Sequence, residues 1–215
     1  MSRFVGSLTL LVALSSLTAS SARAQHFAQP PGQHGGGSHA DAVSDRAALR
    51  AKLAEARAVN IAAFVAYERA GVYPSNTTKA GPLNVWRDAD GHLCAAATVI
   101  DRSGEHALVR HIGDTDNNLR LATVQDGPVM SWILESGLTQ EELVMIQAPM
   151  MPVARRPRPA PQPVDDKLRA TETARLAAIY QRTEKQLAAE QGAALDTATD
   201  RLIAHPELAA QLAQR

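Results

Sequence analysis

The sequence has a single cysteine, Cys94, and few aromatic residues. Phe, Trp and Tyr together make up 4% of the 215 residues, although 45% of the chain is hydrophobic. One cysteine excludes an internal disulfide, so the fold must be held by burial of apolar surface. A chain that is poor in aromatics and rich in alanine favours helices packed closely through small side chains.

The sequence also lacks an excess of charge of either sign, with 22 basic and 22 acidic residues. Proteins that bind nucleic acid usually carry a basic patch, so we expect no nucleic-acid partner. Beyond the N-terminal segment, no stretch approaches the roughly 20 apolar residues that are needed to cross a bilayer. We therefore expect no transmembrane segment in the mature chain.

Residues 1–24 have the pattern of a secretory signal peptide. Arg3 supplies the positive charge, residues 4–19 are mostly apolar, and the tripeptide at 22–24 reads Ala-Arg-Ala. This small-x-small tripeptide predicts cleavage after Ala24 and export to the periplasm or the extracellular space. A retained N-terminal anchor is the alternative.

Residues 25–40 are dominated by Gly, Pro, His and Gln and show no apolar periodicity, which predicts a disordered leader. The leader contains His26, His34 and His39. Clustered histidines bind zinc or copper, so weak metal binding by the leader is one functional alternative. Flexible glycines fix no coordination geometry, which favours a solvated linker. We predict no resident cofactor.

Residues 41–71 predict a long amphipathic helix. Apolar residues recur at steps of three and four along one face, from Leu49 and Leu53 to Phe64 and Tyr67. Asn60 lies in this stripe and needs a hydrogen-bond partner if it is buried. The pattern favours a role for Asn60 in fixing the register against a second helix, as a lone asparagine does in coiled coils. Asn60 is also a candidate binding residue.

The most strongly specified local structure is a helical corner at residues 127–147. Pro128 suits the first position of a helix, and Gly137 suits its C-terminal end. Thr139 and Glu142 have the spacing of a capping box for a second helix. The corner can be purely architectural, or it can form a docking groove with Trp132 and Met130 as anchors.

The corner belongs to a central block at residues 72–148. Turn residues at 90–91 favour one small β-hairpin at 83–95, followed by a helix that stops at 103–104. A helical interpretation of 83–112 remains open. Residues 149–164 are rich in proline and arginine, which indicates a semi-rigid linker or a strap, or alternatively a polyproline ligand for another protein.

Residues 165–215 predict a C-terminal helical segment that begins with a second long amphipathic helix. The fold class is therefore mainly α, with two long amphipathic helices around the central block. Their apolar faces must be covered, either by each other or by a second copy of the chain.

Motifs for chemistry are scarce, since no GxSxG, HExxH, P-loop or GxGxxG motif occurs in a fitting context. His92 and Cys94 are two residues apart and would share one face of a strand, which admits a nucleophile and its base. A lone cysteine beside leucine and alanine is more often a small buried hydrophobe. Two aspartate-rich turns, at 88–91 and 114–118, fail the spacing of calcium loops.

The sequence thus favours an exported, non-enzymatic helical protein that acts through a protein partner, self-association or a structural role in the envelope. The alternative is a small hydrolase-like enzyme in the central block. Its candidate groups would be Cys94 with His92, His106 and His111, and with Trp86 and Trp132 lining a pocket.

Overall fold

A computed structural model describes the backbone of residues 39–215 and the side chains from residue 45 onward. The mainly α prediction is confirmed, and residues 39–215 contain no β-strand. The predicted signal peptide and residues 25–38, with His26 and His34, lie outside the described part, as does the side chain of His39. The helices are α1 (His39–Ala70), α2 (Ala95–Arg102), α3 (His106–Thr115), a 3₁₀ turn (Leu121–Thr123), α4 (Gly127–Glu135), α5 (Gln140–Ile146), α6 (Asp166–Ala189), α7 (Gln191–Ile203) and α8 (Pro206–Gln214).

The apolar face of α1 is covered in two parts. Leu49 and Leu53 pack in a small cluster with residues of α7 and α8. Phe64 and Tyr67 belong to the main core and contact Tyr180 of α6 edge-on, with ring centroids 5.6 and 5.7 Å apart. The two long helices therefore contact each other within one chain, and four aromatic rings lie where they meet: Phe64, Tyr67, Tyr73 and Tyr180.

The corner forms as the sequence predicts. Helix α4 has Pro128 in its first turn, and Gly137 follows its end with φ +72°. The capping box of α5 is complete, because Thr139 Oγ1 accepts from the backbone N–H of Glu142 and the Glu142 carboxylate accepts from that of Thr139. Local signals were sufficient here because each acts within a few residues.

Arg57 ties α1 to this corner. Its buried guanidinium donates to both carboxylate oxygens of Glu142, at 2.8 and 2.6 Å, and to the carbonyls of Gly137 and Leu187. One side chain thus joins α1, the corner and α6. Sequence analysis missed Arg57, although its position four residues after Leu53 on the apolar face was a usable signal.

The small hairpin favoured for residues 83–95 is reduced to one isolated bridge, between Arg87 and Leu93. Within the segment, the N–H of Asp88 donates to the carbonyl of His92, and the N–H of Cys94 donates to that of Trp86. The pairing goes no further because the N–H of Trp86 donates to the carbonyl of Asn117. The helix predicted to follow is present as α2, and Gly104 follows it with φ +102°.

The first residues of the proline-rich segment at 149–164 form a strap that is bound to the rest of the fold, and not a free linker. Met150 pairs with Leu83, and the N–H of Val153 donates to the carbonyl of Asn76. Both Met150 and Val153 are buried. Arg155 then pairs with Asp165, the N-cap of α6.

The C-terminal segment is helical, with breaks near Gly192 and at Pro206. Helix α6 ends at Ala189, and α7 begins at Gln191. Across α1 and α7, Arg50 pairs with Asp196 at 2.7 Å. None of the helices within residues 39–215 combines the length and apolarity required to span a bilayer.

A candidate binding groove at Trp132

A groove of about 280 Å³ lies where α1 meets the ends of α2, α4 and α8. We call it the Trp132 groove. Two of the three binding residues suggested by the sequence, Trp132 and Asn60, lie in its wall. Its lining residues are Ala56, Val59, Asn60, Arg102, Ser103, Glu105, Trp132, Glu135, Ser136, Leu212 and Arg215.

Trp132 forms a fixed wall of this groove. The side chain is almost fully buried, and its indole N–H donates to Ser103 Oγ at 2.8 Å. Ser103 is the C-cap of α2, so the bond joins α2 to α4. A buried tryptophan whose N–H is satisfied keeps one orientation, and the groove therefore has a rigid apolar side.

Asn60 occupies the opposite part of the lining, on α1. Its side-chain amide donates to the carbonyl of Ser136 at 2.8 Å, which fixes α1 against the end of α4. The hydrogen-bond partner that the sequence requires for Asn60 is therefore the carbonyl of Ser136, the C-cap of α4. The Asn60 carbonyl oxygen is buried and has no hydrogen-bond partner among the described residues. An unpaired buried acceptor is costly, so this position is stable only because the surrounding packing holds it.

Val59 and charged residues complete the groove. Val59 is 57% exposed, the largest exposed fraction of any large hydrophobic side chain in residues 45–215. At the rim, Arg215 pairs with Glu135 at 2.6 Å, and Arg102 donates to the carbonyl of Ala63. An apolar centre surrounded by charged and polar groups is the usual arrangement of a protein–protein contact site.

Met130, the third suggested binding residue, is not among the groove's lining residues. It is partly buried and packs against both hydrophobic clusters. The structure therefore brings together Trp132 and Asn60 but gives Met130 a place between the clusters. Sequence analysis missed Val59 and Arg102 as groove residues, because local pattern cannot show which helix ends converge.

The candidate nucleophile Cys94 is fully buried. Its sulfur accepts the backbone N–H of Ala97 at 3.4 Å and so caps α2. Burial raises the pKa of the Cys94 thiol to about 11, which keeps it protonated at neutral pH. A thiol in this state is a weak nucleophile.

Two of the three candidate histidines lie beside carboxylates. His92 Nδ1 lies 3.1 Å from Asp88, and His106 Nδ1 lies 2.8 Å from Asp101. His111 lies exposed on α3. Trp86, suggested to line a pocket with Trp132, is buried in the core and is not among the residues of the Trp132 groove.

Asp88, Asp90 and His92 form a cluster in which one ligand atom from each lies within 4.8 Å of the others. The Asp88 carboxylate is already engaged, since it accepts the backbone N–H groups of Asp90, His92 and Ser75. These bonds shape the turn. Lone pairs used in this way are not free to bind a cation, so we assign the cluster a structural role.

Comparison with known proteins adds no family to this description. The chain matches no protein-family model, no curated protein and no solved structure. Its function is therefore inferred from its own residues and their arrangement.

Proposed function

We propose that this chain is an exported, non-enzymatic helical protein that acts by binding a protein partner at the Trp132 groove. The observation that carries the proposal is the convergence of an exposed Val59 and a rigid Trp132 wall in one groove. An exposed apolar side chain beside a fixed aromatic ring offers a partner a preformed apolar contact.

The border of the Trp132 groove supports a protein partner. With a volume of about 280 Å³, the groove has room for one or two side chains of a partner. The paired Arg215 and Glu135 at the rim suit the polar border of an interface.

The state of the candidate catalytic groups supports a non-enzymatic role. Cys94 is buried with a raised pKa, and His92 is held by a carboxylate of its own turn. A nucleophile needs a low pKa or an adjacent base, together with access to substrate. The buried Cys94 thiol has neither a low pKa nor access to substrate.

Export is proposed from the signal-peptide pattern at residues 1–24. Expression in a host cell, followed by fractionation and N-terminal sequencing of the mature chain, tests this part. The expected first residue is Gln25. A full-length chain that remains in the cytoplasm would contradict export.

Partner binding is tested with two matched valine variants of the tagged protein. Val59 lies in the Trp132 groove, whereas Val72 is similarly exposed, at 50%, and is not among the lining residues. Purification from the envelope fraction of the native host is expected to retain the same partner for the wild type and Val72→Asp. Val59→Asp should lose it, because a carboxylate cannot be buried in an apolar contact without a large cost. Equal retention by both variants, or no partner for the wild type, would contradict the proposal.

A further inference from the structure

A second and larger groove, of about 470 Å³, lies on a different part of the surface. Its walls are the loop at 79–84, the segment at 118–122, the end of α5 and the start of the strap. We call it the Lys79 groove. Its lining includes Lys79, Leu83, Arg120, Val144, Gln147 and Pro149.

The Lys79 groove carries unbalanced positive charge. Lys79 and Arg120 are its two charged lining residues, and no carboxylate lines it. Neither cation forms a salt bridge within residues 45–215, whereas the arginines between α1 and α7 are paired with aspartates. In a chain with equal numbers of basic and acidic residues, this local excess favours an anionic ligand.

The walls of the Lys79 groove are held by side-chain amides. Gln147 accepts from the N–H of Leu121 and donates to the carbonyl of Leu119, both at 2.8 Å. Gln140 donates to the carbonyl of Leu121 at 2.7 Å. These bonds fix the backbone on both sides of Arg120. A ligand therefore meets walls that are already ordered, which lowers the entropic cost of binding.

Apart from the amides Asn84, Asn118 and Gln147, the remaining lining residues are apolar. Val144 is 38% exposed although it lies on α5, whose other face is buried in the core. Leu83 and Pro149 add apolar surface on the side of the strap. The volume of the Lys79 groove exceeds what an inorganic ion fills and falls within the usual range for small organic ligands.

We propose that the Lys79 groove binds a small organic monocarboxylate with an apolar body. The carboxylate pairs with Lys79 and Arg120, and the apolar body packs against Val144 and Pro149. Carboxylates suit this site because lysine and arginine both donate to them, arginine in a bidentate manner. This activity goes beyond partner binding and uses none of the residues of the Trp132 groove.

The probe is benzoate, titrated into the mature chain and followed by two-dimensional NMR. We expect saturable shifts of the Leu121 backbone amide and of the Gln147 side-chain amide, which lie in the wall. The double variant Lys79→Gln/Arg120→Gln should weaken binding by roughly tenfold, in line with two exposed charge pairs. The matched control is Arg182→Gln/Lys185→Gln, which removes two exposed cations of α6 and should leave binding unchanged.

Two further probes separate charge from shape. Benzamide has the shape of benzoate without its charge, and inorganic phosphate has charge without an apolar body; both should bind at least about tenfold more weakly than benzoate. Benzoate shifts spread over the surface, equal binding by either probe, or an unaffected Lys79/Arg120 variant would overturn the proposal. Val59→Asp serves as a separate control, because it disables the Trp132 groove and should leave benzoate binding intact.

Discussion

The side chain of Arg57 connects three parts of this fold: α1, the corner and α6. It is buried on α1 and makes four hydrogen bonds, two of them to the Glu142 carboxylate. Taking two charges out of water costs several kcal/mol per ion, roughly, and only near-complete pairing offsets that cost. The corner supplies this pairing because its capping box already orients Glu142. Neither residue would be stable in its place without the other.

A double-mutant cycle on Arg57 and Glu142 tests this dependence. Arg57→Met leaves the Glu142 carboxylate buried and unpaired, so we expect a loss of about 3–5 kcal/mol in the free energy of unfolding. Glu142→Met should destabilise the Arg57→Met variant much less than it destabilises the wild type. The difference, which is the coupling free energy, should be about 1–3 kcal/mol. The control cycle is Arg46→Ala and Asp200→Ala, an exposed pair 2.8 Å apart whose coupling should stay below about 1 kcal/mol. Additive losses for the buried pair, measured by urea unfolding, would refute the account.

Gly137 is the second residue on which the corner depends. Its φ of +72° is unfavourable for other residues, and a Cβ there would lie 2.0 Å from the carbonyl oxygen of Leu53. Gly137→Ala should therefore destabilise the fold by about 2–4 kcal/mol, as α1 is pushed from the corner. Gly192→Ala is the control, because that site has open space and lies in a helix, and it should be neutral or stabilising by up to about 1 kcal/mol. Similar midpoints of denaturation for the two variants would argue against close α1–corner packing.

The thiol of Cys94 gives a chemical test of its surroundings. Since the residue is buried and its pKa is raised to about 11, a disulfide reagent at pH 8 should react very slowly with the folded chain. One thiol should react at once in denaturant. Rapid reaction of the native protein would contradict the burial of Cys94 and would make it a candidate nucleophile again.

At the scale of elements, the sequence predicts best where a helix is decided by its own residues. The corner, the end of α2 near Gly104 and the break at Pro206 follow from capping and turn signals that act over a few positions. The extent of the hairpin at 83–95 was not predictable in this way, because the N–H of Trp86 donates to the distant Asn117. The convergence of Val59 with Trp132 depends on how helices dock, which local pattern does not encode.

The contact of α1 with α6 contains a pair of half-buried carboxyl groups. Burial raises the pKa of Glu68, and the adjacent Glu184 raises it further, while Arg69 opposes the shift. A carboxyl with a raised folded-state pKa contributes its full stability below its unfolded pKa and loses it as the pH rises through the folded value. The α1–α6 contact is therefore strongest in mild acid.

Glu68→Gln tests this pH dependence. We expect the variant to gain stability over the wild type as the pH rises from 4 to 7, because glutamine carries no charge for burial and the adjacent Glu184 to oppose. Glu55→Gln, on the exposed side of the same helix, is the matched control variant. A constant difference for Glu68→Gln across this range of pH, in thermal unfolding, would contradict the raised pKa.

At the scale of the whole molecule, the two apolar stripes predicted from the sequence are largely covered within one chain. Helices α7 and α8 pack on the first half of α1, and α6 on the second. Leu168, at the start of α6, is still 37% exposed. Self-association is therefore not needed to cover most of the stripes, and the Trp132 groove becomes the surface on which the proposed function rests.

The most direct measurement of that function is photo-crosslinking in the native host, with a benzophenone amino acid placed at Val59 or, as control, at Val72. If the Trp132 groove binds a protein partner, a discrete adduct of one mass should form from position 59 and be absent from position 72. No adduct from position 59, or the same adduct from both positions, would contradict the account.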